Sequence, residues 1–290
     1  MAGRTHSGVA ELMRVRFTKM HGAGNDFVVI DCLAGDPVSD WETFARFALD
    51  RRLGVGGDQL LLLQPSRDAD FFMGIRNADG SRAEMCANGI RAFFKYLRDR
   101  RLSTSETIRV ETLAGIVSPR WLSDDQIEVE MTRPVFEPEK IPTTLRGPVP
   151  LIEVPLEAGA QTLSVSTLSM GNPHCVIFLD DPELAPVEEL GPLLENHPAF
   201  PQRTNVEFVA LRSRQELEQR TWERGSGETL ACGSGACAAA VAAVLSGRSE
   251  RELSVRLRGG VLRIRWPSND GPVWLTGPAA HVFEGELEIP

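Results

Sequence analysis

Met85-Cys86-Ala87-Asn88-Gly89 and Ala231-Cys232-Gly233-Ser234-Gly235 are two versions of one pattern, a cysteine followed by small residues that open an apolar run. Further matches surround them. Met20-His-Gly-Ala-Gly-Asn25, before the run Phe27 to Asp31, recurs as Met170-Gly-Asn-Pro-His174 before Cys175 to Asp180, so Asn25 matches Asn172. From Asn to Cys the spacing is 86 − 25 = 61 in the first copy and 232 − 172 = 60 in the second. Thr132-Arg-Pro134 with Phe136 corresponds to Thr276-Gly-Pro278 with Phe283, after similar turns at Gly115 and Gly260. The offset stays between 144 and 147, and three matches in one order at one offset indicate two units of the same fold.

Within the first unit, apolar or alternating runs predict strands at Val15 to Lys19, Phe27 to Asp31, Asp58 to Leu63, Phe71 to Arg76, Ile108 to Thr112 and Gln126 to Met131. The second unit repeats them at Thr162 to Leu168, Cys175 to Leu179, Val206 to Leu211, Ser254 to Leu257 and Val273 to Thr276. After Cys86, the residues Ile90, Phe93, Phe94 and Leu97 stand at the spacing of an amphipathic helix. After Cys232, Ala236 to Leu245 is apolar on every side and stops at Ser246-Gly247, so that helix must be buried. The expected fold is α+β, with two pseudo-symmetric homologous domains, each a strand-rich sheet or barrel wrapped around a central helix. Residues 1–12 read as a polar extension, 13–134 with a tail from about 279 to 290 as the N-terminal domain, and 135–278 as the C-terminal domain. The boundary falls in the Pro-rich, charged stretch Pro134 to Arg146.

Composition narrows the function. A chain of 290 residues with 42% hydrophobic content can build two cores. Net charge is −9, and no stripe of Lys and Arg is available to neutralise a phosphate backbone, so nucleic acid is an unexpected partner. No stretch has the roughly 18 apolar residues of a membrane span, and the N-terminus lacks the apolar core of a signal peptide. A cytoplasmic location and no membrane association are expected. The five cysteines, Cys32, Cys86, Cys175, Cys232 and Cys237, contain no CxxC pair and no His at zinc-ligand spacing, which speaks against a metal site or a disulfide scaffold. Cys32 and Cys175 lie in apolar runs and read as small buried hydrophobes.

Cys86 and Cys232 read differently. A cysteine at a helix N-terminus sits by unpaired N–H groups and the positive end of the helix dipole, which favours thiolate. The small residues that follow let an anionic ligand approach those amides. If the two units face each other, both thiols flank one ligand. A base on one face and an acid on the other is what inversion of a stereocentre requires.

The motifs Asn25-Asp-Phe27, Asn77-Ala-Asp-Gly-Ser81 leading to Met85-Cys86, Gly171-Asn-Pro-His174, Thr204-Asn-Val-Glu-Phe208 and Glu223-Arg-Gly-Ser-Gly-Glu-Thr229 leading to Ala231-Cys-Gly-Ser-Gly235 resemble those of the diaminopimelate epimerases. The similarity runs from about Val15 to Pro290. It implies a pyridoxal-independent homodimer, without cofactor, that interconverts LL- and meso-2,6-diaminopimelate on the lysine and peptidoglycan route. It also implies Cys86 and Cys232 as the catalytic pair, tuned by His174 and Glu223. The implied substrate contacts are Asn25, Gln59, Asn77, Ala87, Asn88, Gly89, Asn172, Asn205, Glu223, Arg224, Gly233 and Ser234. Ala87 stands where the family usually has Gly, and would be strained if that position needed a left-handed backbone.

Taken singly, most of these residues have a plainer reading. Asn25 or Asn77 alone is a turn residue, His174 beside Pro173 a packed or capping histidine, and Arg224 a solvated strand charge. His21 reads as structural. A guanidinium does, however, suit bidentate capture of a carboxylate, and diaminopimelate has two. Two other functions fit the same thiols: a proline or hydroxyproline racemase, and a non-catalytic amino-acid binder or redox sensor in which Cys86 and Cys232 form a reversible disulfide.

Overall fold

The computed structural model describes residues 13–123, 126–159 and 161–289. The expected extension over residues 1–12 lies outside the described residues. The first half runs β1 (Met13–Gly22), β2 (Asn25–Asp31), α1 (Trp41–Ala48), β3 (Gln59–Gln64), β4 (Phe71–Asn77), α2 (Ala87–Asp99), β5 (Val110–Thr112), β6 (Gly115–Val117), β7 (Arg120–Ser123) and β8 (Gln126–Glu130). The second runs β9 (Val154–Ala158), β10 (Gln161–Ser169), β11 (Pro173–Phe178), α3 (Val187–Glu195), β12 (Asn205–Ser213), β13 (Glu216–Glu223), β14 (Gly227–Thr229), α4 (Gly233–Leu245), β15 (Glu252–Leu257), β16 (Gly260–Arg265), β17 (Trp274–Pro278) and β18 (Ala280–Ile289).

Two strand-rich sheets form, each around one helix. The first has the order β18-β1-β2-β3-β4-β5-β6, and the second the order β7-β8-β17-β16-β15-β13-β12-β11-β10-β9 with β14 added on β13. Helix α2 packs on β1, β2, β3, β8 and β18, and α4 on β10, β11, β12, β13, β15 and β16. The all-apolar α4 is buried from Ala236 to Ala243, and Gly247 follows it in the left-handed region at φ 71°, as the sequence implies. The amphipathic reading of α2 needs correction: every residue from Ala87 to Leu97 is buried, Asn88, Arg91 and Lys95 included. The helix has no solvent face along this stretch: Gly22 of β1 and Gly277 and Pro278 of β17 close over Arg91.

Strand pleating decides which side chains meet α4. In β11 and β12, Val176 and Val209 face α4, whereas Cys175, Ile177, Val206 and Phe208 face an outer core containing Val187 and Leu194 of α3. On the first sheet α1 plays the same part with Trp41, Phe44, Ala45 and Ala48. The halves are joined by the antiparallel pairing of β8 with β17. Glu130 pairs with Trp274 there, and 274 − 130 = 144 matches the repeat offset read from Thr132 and Thr276, so the pseudo-twofold relation passes through this pair. Strand β18 returns to pair with β1, from Met13↔Ile289 to His21↔Ala280. No helix among the described residues is long and apolar enough to cross a membrane.

Candidate active site

Both central helices begin on their cysteine. Cys86 caps α2 at φ −140°, ψ 116°, and Cys232 caps α4 at φ −118°, ψ 113°. In each, Sγ accepts from the backbone N–H three residues on, Gly89 and Gly235, at 3.3 Å. The helix starts touch: a methyl group on Gly233 would lie 3.2 Å from Ala87 Cβ and 3.6 Å from Asn88 Oδ1. Ala87 belongs to α2 and is absent from the non-glycine residues with positive φ (Ala23, Arg101, Glu153 and Arg203), so its methyl is accommodated without strain opposite Gly233.

Strand register shows how the two halves correspond. Phe27 pairs with Gln59 and Gln59 with Asn77; His174 pairs with Asn205, and continuing the Val206↔Trp222 register sets Asn205 opposite Glu223. Phe27 is therefore the counterpart of His174, Gln59 of Asn205, Asn77 of Glu223 and Leu61 of Glu207. Around Cys86 the direct partners are side-chain amides, with Asp58 and Arg91 behind them. Asn25 Oδ1 receives Asn88 Nδ2 at 3.2 Å and the Cys86 thiol at 3.6 Å, while Asn25 Nδ2 donates to Asp58 at 2.6 Å. Gln59 donates to Asn77 Oδ1 at 2.9 Å, and Asn77 to Ser81 at 3.0 Å.

The Cys232 half is anionic. His174 Nδ1 lies 2.8 Å from Glu207 Oε1, with both side chains fully buried, and His174 Nε2 lies 2.9 Å from Asn172 Oδ1. Glu223 accepts from Thr229, and Ser234 Oγ is 3.5 Å from Cys232 Sγ. Asn205 Oδ1 takes the backbone N–H of Arg224 at 2.9 Å and its Nδ2 donates to the Pro173 carbonyl at 2.8 Å, which fixes the turn that presents Arg224. The Arg224 guanidinium donates to the Gln202 carbonyl at 3.1 Å.

Burial opposes the helix ends in setting the thiols. It pushes Cys86 up to about 11, against the Gly89 and Asn88 amides and Arg91, while Glu223 adds to the rise. Cys232 is raised well above its ordinary value, first by burial and then by the carboxylates of Glu223 and Glu207. Glu223 itself is raised, chiefly by burial. The expectation that a helix start favours thiolate thus meets a larger opposing cost from burial; Glu223 raises both sulfurs, while Arg91 acts to lower Cys86 and Glu207 to raise Cys232. All five cysteines are free, with Cys32, Cys175 and Cys237 buried. Among the described residues no three His, Cys, Asp or Glu side chains gather as a metal-ligand set.

Three site residues escaped the sequence reading. Glu207 lies in the apolar run Val206 to Ala210, where a charge survives burial only with a partner on the next strand. Arg91 stands off the Ile90, Phe93, Phe94 and Leu97 pattern and is nonetheless buried, and Asp58, which holds the Asn25 amide, reads only as the start of a strand. Period alone carries none of these signals.

Two sheets of one topology, each enclosing a helix that starts on a cysteine, define a class of pseudo-symmetric, strand-rich α+β proteins. The same fold is seen in the hydroxyproline epimerase of Agrobacterium vitis, at a TM-score of 0.69 and 14% identity over 96% of this chain and 93% of that one. The family model for diaminopimelate epimerase matches residues 17–137 and 166–282. Proteins named diaminopimelate epimerase from Desulforudis audaxviator and Moorella thermoacetica are 50% and 46% identical, over 94% and 95% of this chain and 99% and 100% of theirs. The chain belongs to the diaminopimelate epimerase family.

Proposed function

We propose that this protein interconverts LL- and meso-2,6-diaminopimelate with Cys86 and Cys232 as a base and acid on opposite faces of one α-carbon. The observation that carries this reading is the pair of equivalent thiols, each capping a helix, whose helices meet at Ala87 and Gly233. One sulfur, as thiolate, takes the α-proton from its face. The other, as thiol, gives its proton to the opposite face, and the return reaction exchanges the roles. The substrate carboxylate lies against the amides of Ala87, Asn88 and Gly89 and of Gly233 and Ser234, where two helix N-termini stabilise the enediolate-like charge. No pyridoxal or metal is called for, because the negative charge is met by backbone N–H groups.

Asn25, Gln59, Asn172 and Asn88 orient the reacting end. Asn77, Asn205, Glu223 and Arg224 take the distal amino-acid group, with Arg224 on its carboxylate, and His174 with Glu223 sets the charge around Cys232. The family relationship supports this distribution, as does the absence of an Asp or Glu ion pair on Arg224 among the described residues. The product serves lysine and peptidoglycan synthesis in the cytoplasm, and the working form is a homodimer. Strand β18, which edges the first sheet and exposes Val282 and Phe283, suits self-association.

A substrate panel followed by α-proton exchange in heavy water tests the assignment. LL and meso isomers exchange, whereas the DD isomer, alanine and proline do not. Arg224→Met loses about 2 kcal/mol of transition-state binding on diaminopimelate, roughly thirtyfold in kcat/KM. Rapid exchange of proline, or equal exchange of the DD isomer, would remove diaminopimelate as the substrate.

A further inference from the structure

The repeat breaks at a position next to the reacting sulfurs. Arg91 follows Cys86 by five residues, and the residue five after Cys232 is Cys237. Arg91 is fully buried, in the N-terminal half of α2, where the helix dipole disfavours a cation. Its guanidinium donates only to neutral oxygens: Asn88 Oδ1 at 2.7 Å, the Ala87 carbonyl at 3.0 Å and the Pro278 carbonyl at 3.4 Å. Gly22 and Gly277 press on it, and a methyl group on either would stand 3.3 or 3.2 Å from the guanidinium.

Among the described residues no carboxylate pairs with Arg91, and the acidic groups that act on it are the thiols of Cys86 and Cys237. A buried cation without an anion is costly, and a protein keeps one where an anion forms or arrives. Cys237 lies in the apolar core around α4 and meets no ligand. Cys86 is only partly buried and is tied to Arg91 through its own helix turn: Arg91 holds Asn88, and Asn88 shares Asn25 Oδ1 with the Cys86 thiol.

We propose that Arg91 is the built-in counter-ion of the Cys86 thiolate, a positioning residue that makes this sulfur the first of the pair to ionise. The inference rests on the two-thiol reading above. The Cys86 proton leaves to water before substrate enters, and the charge left behind is met by the Gly89 N–H and by Arg91. The thiolate then takes the α-proton while Cys232 gives its own, so no proton is consumed over the cycle. The charged groups acting on Cys86 are Glu223 from β13, which raises it, and, less strongly, Arg91 from α2, which lowers it. Cys232 faces Glu223 and Glu207, both of which raise it. Burial draws Arg91 down, to about 10 after the opposing pull of the Cys86 and Cys237 thiols, and that pull has the sign a counter-ion pair requires.

The test is the pH midpoint of iodoacetamide alkylation at each cysteine, read by peptide mass spectrometry on the free enzyme. In Arg91→Gln the Cys86 midpoint rises by at least about one unit, Cys232 stays where it was, and Arg91→Lys largely restores the wild-type midpoint. In the same variant kcat falls about tenfold, with KM within about twofold. An unchanged Cys86 midpoint in folded Arg91→Gln overturns the proposal. If that variant does not fold, the wild-type protein decides, because a Cys86 midpoint above that of Cys232 also overturns it. Alkylation needs no substrate, so a protein that shows the shift but does not epimerise diaminopimelate refutes the function and leaves the role of Arg91 standing.

Discussion

Cys86 and Cys232 occupy equivalent backbone positions but unlike surroundings. Asn25, Asn88 and Arg91 attend the first; Glu207, Glu223 and Ser234 attend the second. In the proposed mechanism each sulfur serves one face of the substrate carbon, and water held loosely in a vacated position does not replace an oriented acid. Cys86→Ala and Cys232→Ala are each expected to lose at least about a thousandfold in kcat while unfolding like the wild type. Cys175→Ala and Cys237→Ala, in fully buried positions, cost about 1–2 kcal/mol of stability and leave turnover intact. Urea unfolding and an epimerisation assay on the four variants check both statements, and near wild-type turnover by either folded Cys86 or Cys232 variant sinks the two-thiol mechanism. The cysteine pair was legible in the sequence because repetition, helix start and small neighbours agreed. Their chemical difference was not, since it depends on Arg91, off the apolar stripe of its helix, and on Glu207, inside an apolar strand run.

At the scale of elements, the starts of α2 and α4 look alike but fit differently. A methyl group added at Gly89 would lie 3.3 Å from Leu61, an apolar neighbour that can yield, and 3.2 Å from Cys86 Cβ. Added at Gly235, it would lie 2.7 Å from Glu207 Oε1, which is held by His174. Gly235→Ala must displace that buried pair and is expected to cost about 1–3 kcal/mol together with much of kcat. Gly89→Ala should cost less, because alanine gains about 1 kcal/mol of helix propensity against a softer contact. Thermal unfolding of the two variants compares them, and equal destabilisation would contradict the asymmetry. Among the other elements, α1 and α3 were not foreseen. α1 has a clear start, with Asp40 accepting from the Glu42 and Thr43 N–H groups, but its run is only eight residues. α3 has no side-chain cap and contains Pro192, both of which hide a helix from sequence patterns. Strand β13 was missed because its α4-facing side carries Gln219 and Thr221 after Leu217, so its alternation is polar on polar.

In the whole molecule the repeat predicts two units, and the pairing of β8 with β17 joins them edge to edge. That connection, and the return of β18 to β1, link segments far apart in sequence, and local pattern does not register them. Because Ala87 and Gly233, each next to its cysteine, pack against each other across the halves, air oxidation without reductant is expected to link Cys86 to Cys232 and abolish activity until a thiol is added. Activity that survives prolonged oxidation, with both thiols still free by mass spectrometry, would count against opposed sulfurs.

The most direct test of proton transfer from two sides is the early reaction of LL-diaminopimelate in heavy water, followed by proton NMR and mass spectrometry. Both sulfurs exchange their protons with solvent before substrate binds, so the acid delivers deuterium while the base removes protium. The expected result is meso product carrying one deuterium at the inverted α-carbon, with recovered LL substrate still undeuterated at low conversion. Meso product that keeps its protium, or deuterium entering recovered LL substrate as fast as product, would mean that a single base serves both faces, and would contradict the paired roles of Cys86 and Cys232.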